Sequence, residues 1–237
     1  MKHICIFLAF NNFEHIKLSF ESMYLDNIDF FVIENPSENS EKIKEFFLTK
    51  KLKGYIQFEK NIAANAVNIF IRDFYSLLEQ YDIITITDGD LYLADARDCF
   101  KEIIDNLNYP NVIISSANLF KENYYNLKNP IIGIDNYIKK YKDSQIESKP
   151  TYANTANNLI TLKKENLSIL KNIYYLDSNI SRKVNSLNKK WASTTKNIVY
   201  HLTWDLYSQN TEYYKWKLKV FPYIWKIVEE SKYIKII

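Results

Sequence analysis

The chain has 237 residues, 47% of them hydrophobic and 25% charged, which is enough for one globular domain with its own core. A formal net charge of +3, with arginine only at positions 72, 97 and 182, gives no basis for a nucleic-acid-binding surface. Cys5 and Cys99 form neither a CxxC pair nor a disulfide framework, and we therefore expect a reducing, cytoplasmic setting.

The sequence contains no recognisable targeting or membrane-spanning segment. Residues 1–10 form a short apolar run without the cleavage pattern of a secretory signal. No run of about 18 uncharged apolar residues, the length needed to span a membrane, occurs along the chain. We expect a protein that stays inside the cell.

Strand and helix patterns alternate through the first 120 residues. Continuous apolar runs predict buried strands, and apolar residues at helical spacing predict helices. In chain order we predict a strand at 4–10, a helix at 13–24, strand 28–33, helix 40–50, strand 55–58, helix 61–78 with Asn61 as its N-cap, strand 82–87, helix 95–107 and strand 112–116. This alternation predicts an α/β fold, a largely parallel sheet with helices on both faces.

The pattern is weaker after residue 120. We predict a long polar loop at 121–149 with a helix near 135–141, a strand at 158–162, a helix from residue 164 and a last strand at 198–204. We therefore expect one domain over residues 1–212 and an aromatic, basic appendage at 213–237.

The triplet Asp88-Gly89-Asp90 directly follows the strand predicted at 82–87. Ligands of open α/β sheets bind outside the carboxyl ends of the strands, and glycine lets the backbone turn both carboxylates toward one point. Carboxylate oxygens suit Mg²⁺ or Mn²⁺, which keep open positions for phosphate oxygens. The triplet therefore predicts a metal site, the alternative being a surface Asp-Gly turn.

The order of elements and three motifs resemble the GT-A glycosyltransferases, and residues 1–120 resemble family 2 of these enzymes. The segment FFVIENPSENS resembles the strand and DNGS element of that family. FEKNIAANAVNIFI resembles its N-x-G-x-x-x-A-x-N loop and helix, and ITDGDLYL resembles its D-x-D strand end. The resemblance implies that residues 1–120 form a nucleotide-binding half and residues 121–212 an acceptor half.

The resemblance also implies roles for individual residues in binding a nucleotide sugar. Asp88 would contact the ribose or the metal, and Asp90 would bind the Mn²⁺ or Mg²⁺ that bridges the diphosphate. The remaining residues implied in this site are Phe10 and Asn11 at the base pocket, Glu34 as an acceptor for the base, the loop residues Asn61 and Asn65, and Gly89 of the triplet.

The sequence departs from the family pattern in three places. Glu34 replaces the usual Asp, Pro36 replaces a Gly, and no Arg follows the loop at Asn61 to hold phosphate. These departures leave the identity of the base open. They also give more weight to the helix N-terminus near residues 63–65, where free N–H groups favour an anion.

A second cluster, His201-Leu202-Thr203-Trp204-Asp205, follows the last predicted strand. The resemblance implies that His201 completes the metal shell and that Asp205 is the catalytic base, with Trp204 available to stack on a sugar ring. The alternative is a structural histidine followed by a helix-capping aspartate. His3 and His15 have no acidic partner evident from the sequence, and we expect structural roles for both.

The appendage at 213–237 contains six lysines interleaved with Trp, Tyr and Phe. This composition is typical of segments that bind anionic lipid surfaces, where the lipid-linked donors and acceptors of bacterial glycan assembly lie. It predicts peripheral association with the inner face of the membrane. The alternative is a final helix packed on the domain with its lysines solvated.

The function expected from these features is metal-dependent transfer of a sugar from a nucleoside diphosphate sugar to a glycan or lipid-linked glycan, with inversion at the anomeric carbon. One alternative is a nucleotidyltransferase acting on sugar phosphates. The segment LAFNNFEH lacks the Gly-rich basic loop of those enzymes. Another alternative is a non-catalytic module that binds carbohydrate or protein.

Overall fold

The computed structural model describes residues 1–119, 151–152, 159–171, 177–202, 215 and 230–237. The strands are β1 (His3–Phe10), β2 (Asp29–Asn35), β3 (Gly54–Phe58), β4 (Ile83–Asp88), β5 (Leu91–Leu93), β6 (Val112–Leu119), β7 (Thr151–Tyr152), β8 (Leu159–Lys163), β9 (Lys190–His201) and β10 (Tyr233–Lys235). The α-helices are α1 (Phe13–Met23), α2 (Ser40–Leu48), α3 (Asn65–Asp73), α4 (Tyr75–Leu78), α5 (Ala96–Asn106) and α6 (Asp177–Ser186), and a 3-10 helix covers Lys164–Leu170.

Within the described residues, all ten strands form one sheet in the order β10-β3-β2-β1-β4-β8-β6-β9-β5, with β7 paired to β9. The neighbouring strands β3, β2, β1 and β4 are parallel, and β6 is parallel to β9. β8 lies antiparallel between β4 and β6. The expected α/β fold with a mostly parallel central sheet is therefore confirmed.

The continuous apolar runs of the central strands are explained by burial on both faces of the sheet. Along β1, Ile4 and Ile6 face one core cluster, whereas Cys5 and Phe7 face the other. The first cluster is covered by α3 and α4, and the second by α1, α2 and α5. Because successive side chains of a strand point to opposite faces, a strand buried on both sides is apolar throughout.

The helix predicted at 61–78 is shorter and interrupted. α3 begins at Asn65 with Ala64 in the capping position, and Phe74 separates α3 from α4. Asn61 is not the N-cap: its side-chain oxygen accepts from the backbone N–H of Ala63 (2.9 Å), and Ala63 itself has a positive φ of 51°. The loop is held from β2, where Asn35 accepts from the N–H of Ile62 and donates to the carbonyl of Ala63, both at 3.0 Å.

Further elements differ from the sequence prediction, among them β5 and α6, which it lacked, and the helix predicted from residue 164, which is a 3-10 helix. β9 begins at Lys190, well before the strand predicted at 198–204, because the polar residues 193–197 separate its buried residues Trp191 and Ala192 from the apolar run that follows. The end of the appendage forms β10, which is antiparallel to β3 at the edge of the sheet.

The predicted loop and helix at 121–149 lie outside the described residues. In the described ranges, no helix has both the length and the apolar character needed to cross a membrane.

Candidate functional site

The parallel strands β1 to β4 end at one edge of the sheet. Asn35 of β2 is level with Phe10 of β1, and Asp88 of β4 is level with Leu8 of β1. This edge is where open α/β sheets bind their ligands, because the loops that follow the strands leave a crevice there. The structure therefore brings the carboxyl ends that carry Phe10, Asn11, Glu34 and Asp88 to the same edge, as the sequence predicted.

The Asp88-Gly89-Asp90 triplet connects β4 to β5 and lies against β1. Gly89 is buried, and a Cβ at this position would lie 2.7 Å from the backbone carbonyl oxygen of Leu8 and 3.1 Å from the ring of Phe7. Asp88 and Asp90 are both partly exposed. The two carboxylates thus lie on either side of Gly89, where the backbone is too close to β1 for any side chain.

His201 lies beside Asp90 at the end of β9. β5 pairs with β9 so that Leu91 is opposite His201, and the carbonyl of Asp90 accepts from the N–H of Leu202 at 2.8 Å. The Nδ1 atom of His201 is 3.7 Å from Oδ2 of Asp90, and the histidine side chain is only 8% exposed. The two residues expected to share a metal are therefore neighbours in space.

His15, in the first turn of α1, faces the same carboxylate. Burial lowers the pKa of His15, and the negative charges of Asp90 and Glu14 act in the opposite direction. Its Nδ1 atom is buried and has no hydrogen-bond partner among the described residues. The charge of Asp90 thus reaches His15, although the sequence indicates no acidic partner for this histidine. Asp90 is far away in sequence, and only the packing of α1 against β5 shows the relationship.

Glu34 is completely buried, and its carboxylate is engaged by β3. Oε2 accepts hydrogen bonds from the hydroxyl of Tyr55 and from Nε2 of Gln57, the latter at 3.2 Å. Gln57 is level with Glu34 in the parallel pairing of β2 and β3. Burial raises the pKa of Glu34, and these hydrogen bonds act against that shift. Oε1 is buried and has no hydrogen-bond partner among the described residues, so a nucleotide base could bond to this carboxylate without displacing Tyr55 or Gln57.

The predicted asparagines shape the loops around the site. Asn11 has a positive φ of 65°, and its side-chain oxygen accepts from Nδ2 of Asn39 at 3.4 Å. Asn65 is buried and donates to the carbonyl of Ile62 at 3.1 Å. Asn61 is exposed and binds its own loop, as described above. Phe10, at the end of β1, is partly exposed at the rim.

The donor set at Asp88, Asp90 and His201 fits a divalent ion in its chemistry, since carboxylate oxygens and an imidazole suit Mn²⁺ or Mg²⁺. In the described part of the chain, however, no three His, Cys, Asp or Glu side chains converge as a metal-binding group. Such ions commonly take only one or two protein carboxylates and complete their shell with substrate phosphates and water. Trp204 and Asp205 lie outside the described residues.

The sequence matches no model of a known protein family. It is 33% identical over 251 residues to an uncharacterized protein of Acanthamoeba polyphaga mimivirus, covering 97% of this chain and 33% of that protein. A second uncharacterized protein of the same virus is 30% identical over 241 residues, covering 93% of this chain and 48% of the relative. The chain therefore spans about a third to a half of the length of these relatives.

Solved structures with a similar fold include glycosyltransferases. A mannosyltransferase from Pyrobaculum calidifontis, in complex with GDP-Man and Mn²⁺, gives a TM-score of 0.57 at 14% identity, covering 92% of this chain and 60% of that one. GalNAc-T7 with UDP, GalNAc and Mn²⁺ gives a TM-score of 0.56 at 11% identity, covering 85% of this chain and 44% of that one. Together with the strand order and the position of the acidic triplet, these likenesses show that the chain has a GT-A-like fold.

Proposed function

We propose that this chain is a metal-dependent glycosyltransferase, which transfers a sugar from a nucleoside diphosphate sugar to a hydroxyl of a glycan or lipid-linked glycan. The observation that carries the proposal is the 3.7 Å approach of His201 to Asp90 next to the carboxyl ends of the parallel strands. Two solved structures with this fold contain Mn²⁺ together with GDP-Man or UDP, which supports the same chemistry here.

In this proposal Asp88, Asp90 and His201 hold a divalent ion. Bound there, Mn²⁺ or Mg²⁺ supplies positive charge that stabilises the departing diphosphate. The buried position of His201 restricts its rotation, and its ring stays directed at the Asp90 carboxylate. The partly exposed carboxylates of Asp88 and Asp90 leave room for phosphate oxygens on the solvent side.

The transfer itself needs a base. An acceptor hydroxyl oxygen forms a bond to the anomeric carbon, the bond from that carbon to the diphosphate breaks, and the hydroxyl proton passes to a carboxylate. We assign this role to Asp205, four residues after His201, and expect inversion of configuration. Trp204 would stack on a sugar ring.

The donor base would lie at the ends of β1 and β2. Phe10 and Asn11 form the rim, and Glu34 would accept a hydrogen bond from the base at Oε1, which has no partner among the described residues. Asn61 and Asn65 would shape the loop that faces the diphosphate. The lysines of residues 213–237 would place the protein on an anionic lipid surface that presents the acceptor.

The proposal is tested by thermal unfolding with UDP, GDP and CDP, each with and without Mn²⁺. A ligand that binds only the folded state stabilises it, by about 2.7 kcal/mol when its concentration is one hundred times Kd. The melting temperature rises as a result. We expect Asp90→Asn to lose the Mn²⁺-dependent part of this shift. Asp26→Asn is the matched control. Asp26 is exposed and lies in the loop before β2, at the amino end of that strand, whereas the proposed site is at the carboxyl ends.

A release assay then separates the enzymatic alternatives. Incubation with a panel of nucleotide sugars should yield nucleoside diphosphate if the chain is a glycosyltransferase, through transfer or slow hydrolysis. A nucleotidyltransferase would instead transfer the nucleoside monophosphate of a nucleoside triphosphate to a sugar phosphate and release pyrophosphate. Equal Mn²⁺-dependent stabilisation of wild type and Asp90→Asn would contradict the proposed site.

A further inference from the structure

β9 contains a large bulge in the middle of its pairing with β6. Ser193 is level with Ser116, whereas Ile198 is level with Asn118, so residues 194–197 of β9 lie opposite the single residue Ala117. A bulge of this kind interrupts the ladder and changes the direction and register of the strand that follows. Here the segment that follows carries His201.

The carboxylate of Glu102 on α5 holds this bulge through five hydrogen bonds. Oε1 accepts from the backbone N–H groups of Thr195 (2.7 Å) and Lys196 (3.0 Å) and from the hydroxyl of Thr195 (3.2 Å). Oε2 accepts from the backbone N–H (2.9 Å) and the side-chain amide (2.7 Å) of Asn197. Hydrogen bonds to an ionised acceptor are stronger than neutral ones, and both oxygens are engaged.

A second set of contacts fixes the other side of the bulge. The hydroxyl of Thr194 accepts from the N–H of Asn118 at 2.9 Å and donates to the carbonyl of Asn197. The bulge is thus tied to β6 at one point and to α5 at another. The backbone N–H groups of residues 195–197 all donate to Glu102, so this glutamate holds the shape of the bulge.

The register of the strand after the bulge determines where His201 lies. Beyond residue 197, β9 pairs with β5 so that His201 is opposite Leu91, directly after Asp90. Because side chains alternate between the two faces of a sheet, a slip of one residue would turn His201 to the opposite face. The geometry of the bulge and the 3.7 Å contact of His201 with Asp90 are therefore linked.

We propose that Glu102 is a positioning residue for the metal-binding pair, acting through the bulge at 194–197 to set the register that brings His201 to Asp90. The metal-binding meaning of this pair rests on the proposed function. Glu102 itself would touch neither metal nor substrate, since its carboxylate is directed at the backbone of residues 195–197.

The test is a double-mutant cycle on Mn²⁺ affinity, measured on the full chain in the presence of nucleoside diphosphate. Glu102→Gln replaces one carboxylate oxygen by an amide that repels the N–H donors, and we expect it to weaken Mn²⁺ binding about 10- to 100-fold. In the His201→Ala background the same change should have almost no further effect. Asp105→Asn, an exposed carboxylate on the same helix, is the charge-matched control and should leave Mn²⁺ affinity unchanged.

A loss of the same factor in both backgrounds, or no loss at all, would overturn the proposal, since a purely structural role does not depend on His201. Crystal structures of the metal-free wild type and Glu102→Gln give a readout that does not need the proposed function. We expect the separation of Asp90 Oδ2 and His201 Nδ1 to increase, and an unchanged separation would also overturn the proposal. Should the glutamine variant not fold, Glu102→Asp, which keeps the charge and is one methylene shorter, enters the same measurements.

Discussion

Gly89 lies against the backbone carbonyl oxygen of Leu8, at a distance that leaves no space for a side chain. An added Cβ would be 2.7 Å from that oxygen. No glycine of the described residues has a positive φ, so Gly89 is not required for its conformational freedom. The sequence predicts that Gly89 permits a sharp bend of the backbone. In the structure the reason is different: the segment after β4 passes too close to the backbone of Leu8 for any side chain.

We predict that Gly89→Ala lowers stability by about 1–3 kcal/mol, the usual cost of forcing an extra methyl group into a packed site. It should also weaken Mn²⁺-dependent nucleotide binding, because the displaced backbone carries Asp88 and Asp90. Denaturant unfolding and the thermal-shift assay measure the two effects. Gly54→Ala is the matched control, since its Cβ would meet the Phe31 ring at 2.3 Å in the core, away from the triplet. Normal nucleotide binding by a destabilised Gly89→Ala would contradict the prediction.

Stability should fall in acid because of His3. This side chain is buried, its Nε2 is 2.8 Å from the hydroxyl oxygen of Thr85, and burial lowers its pKa from 6.5 to about 4. A lowered histidine pKa contributes stability that is present above pH 6.5 and is lost as the pH falls toward 4. From 1.36 kcal/mol per pKa unit, the loss by pH 4 is about 3 kcal/mol.

The measurement is urea unfolding of wild type and His3→Gln between pH 7 and pH 4. Glutamine does not titrate and keeps a polar group near Thr85, so the difference in stability between the two proteins should change across this range. The wild type should lose more stability than the variant on acidification. Parallel pH profiles would show that the charging of His3 does not limit stability.

Asp205→Asn and His201→Ala should differ in kind. If Asp205 is the base, the amide should leave donor affinity unchanged and reduce turnover by a factor on the order of 10² to 10⁴. His201→Ala should instead weaken Mn²⁺ and diphosphate binding, because a ligand beside Asp90 is removed. Donor affinity, turnover and melting temperature decide between these roles. A lower melting temperature with normal turnover per folded molecule would indicate structural roles for both residues.

Membrane association of residues 213–237 is tested better by charge reversal than by truncation. Truncation would also remove β10, which pairs with β3. Reversing Lys215, Lys217 and Lys219 to Glu should weaken binding to anionic vesicles by at least about tenfold, since each lysine near such a surface contributes about 1 kcal/mol. The effect should diminish as salt is added.

The matched control for this measurement reverses three exposed lysines elsewhere in the chain, Lys17, Lys42 and Lys51. Equal vesicle binding by the wild type and both triple variants would mean that Lys215, Lys217 and Lys219 are not part of a lipid-binding surface. Vesicles without anionic lipid give the baseline.

Apart from the short strand β5 and the break between α3 and α4, the succession of elements through residue 119 could be predicted from the sequence, because the longer elements have a local signal. Strands buried on both faces are continuously apolar, and α1 shows its buried residues at helical spacing. The limits of α3 could not be predicted, because the helix begins where Asn35 of another strand fixes the preceding loop. β10 could not be predicted either, because three residues at a sheet edge have too little local pattern.

By itself the sequence determined the fold class and placed the acidic triplet at a strand end, since these depend on residue types and local spacing. The resemblance to GT-A enzymes implied His201 as a candidate partner of the triplet. Only the tertiary structure decided the position of β8 between β4 and β6, the effect of the Asp90 charge on His15 and the hydrogen bonds from the bulge of β9 to Glu102. Each of these joins residues that are distant in the chain. Such contacts depend on strand order and helix packing, for which local periodicity carries no information.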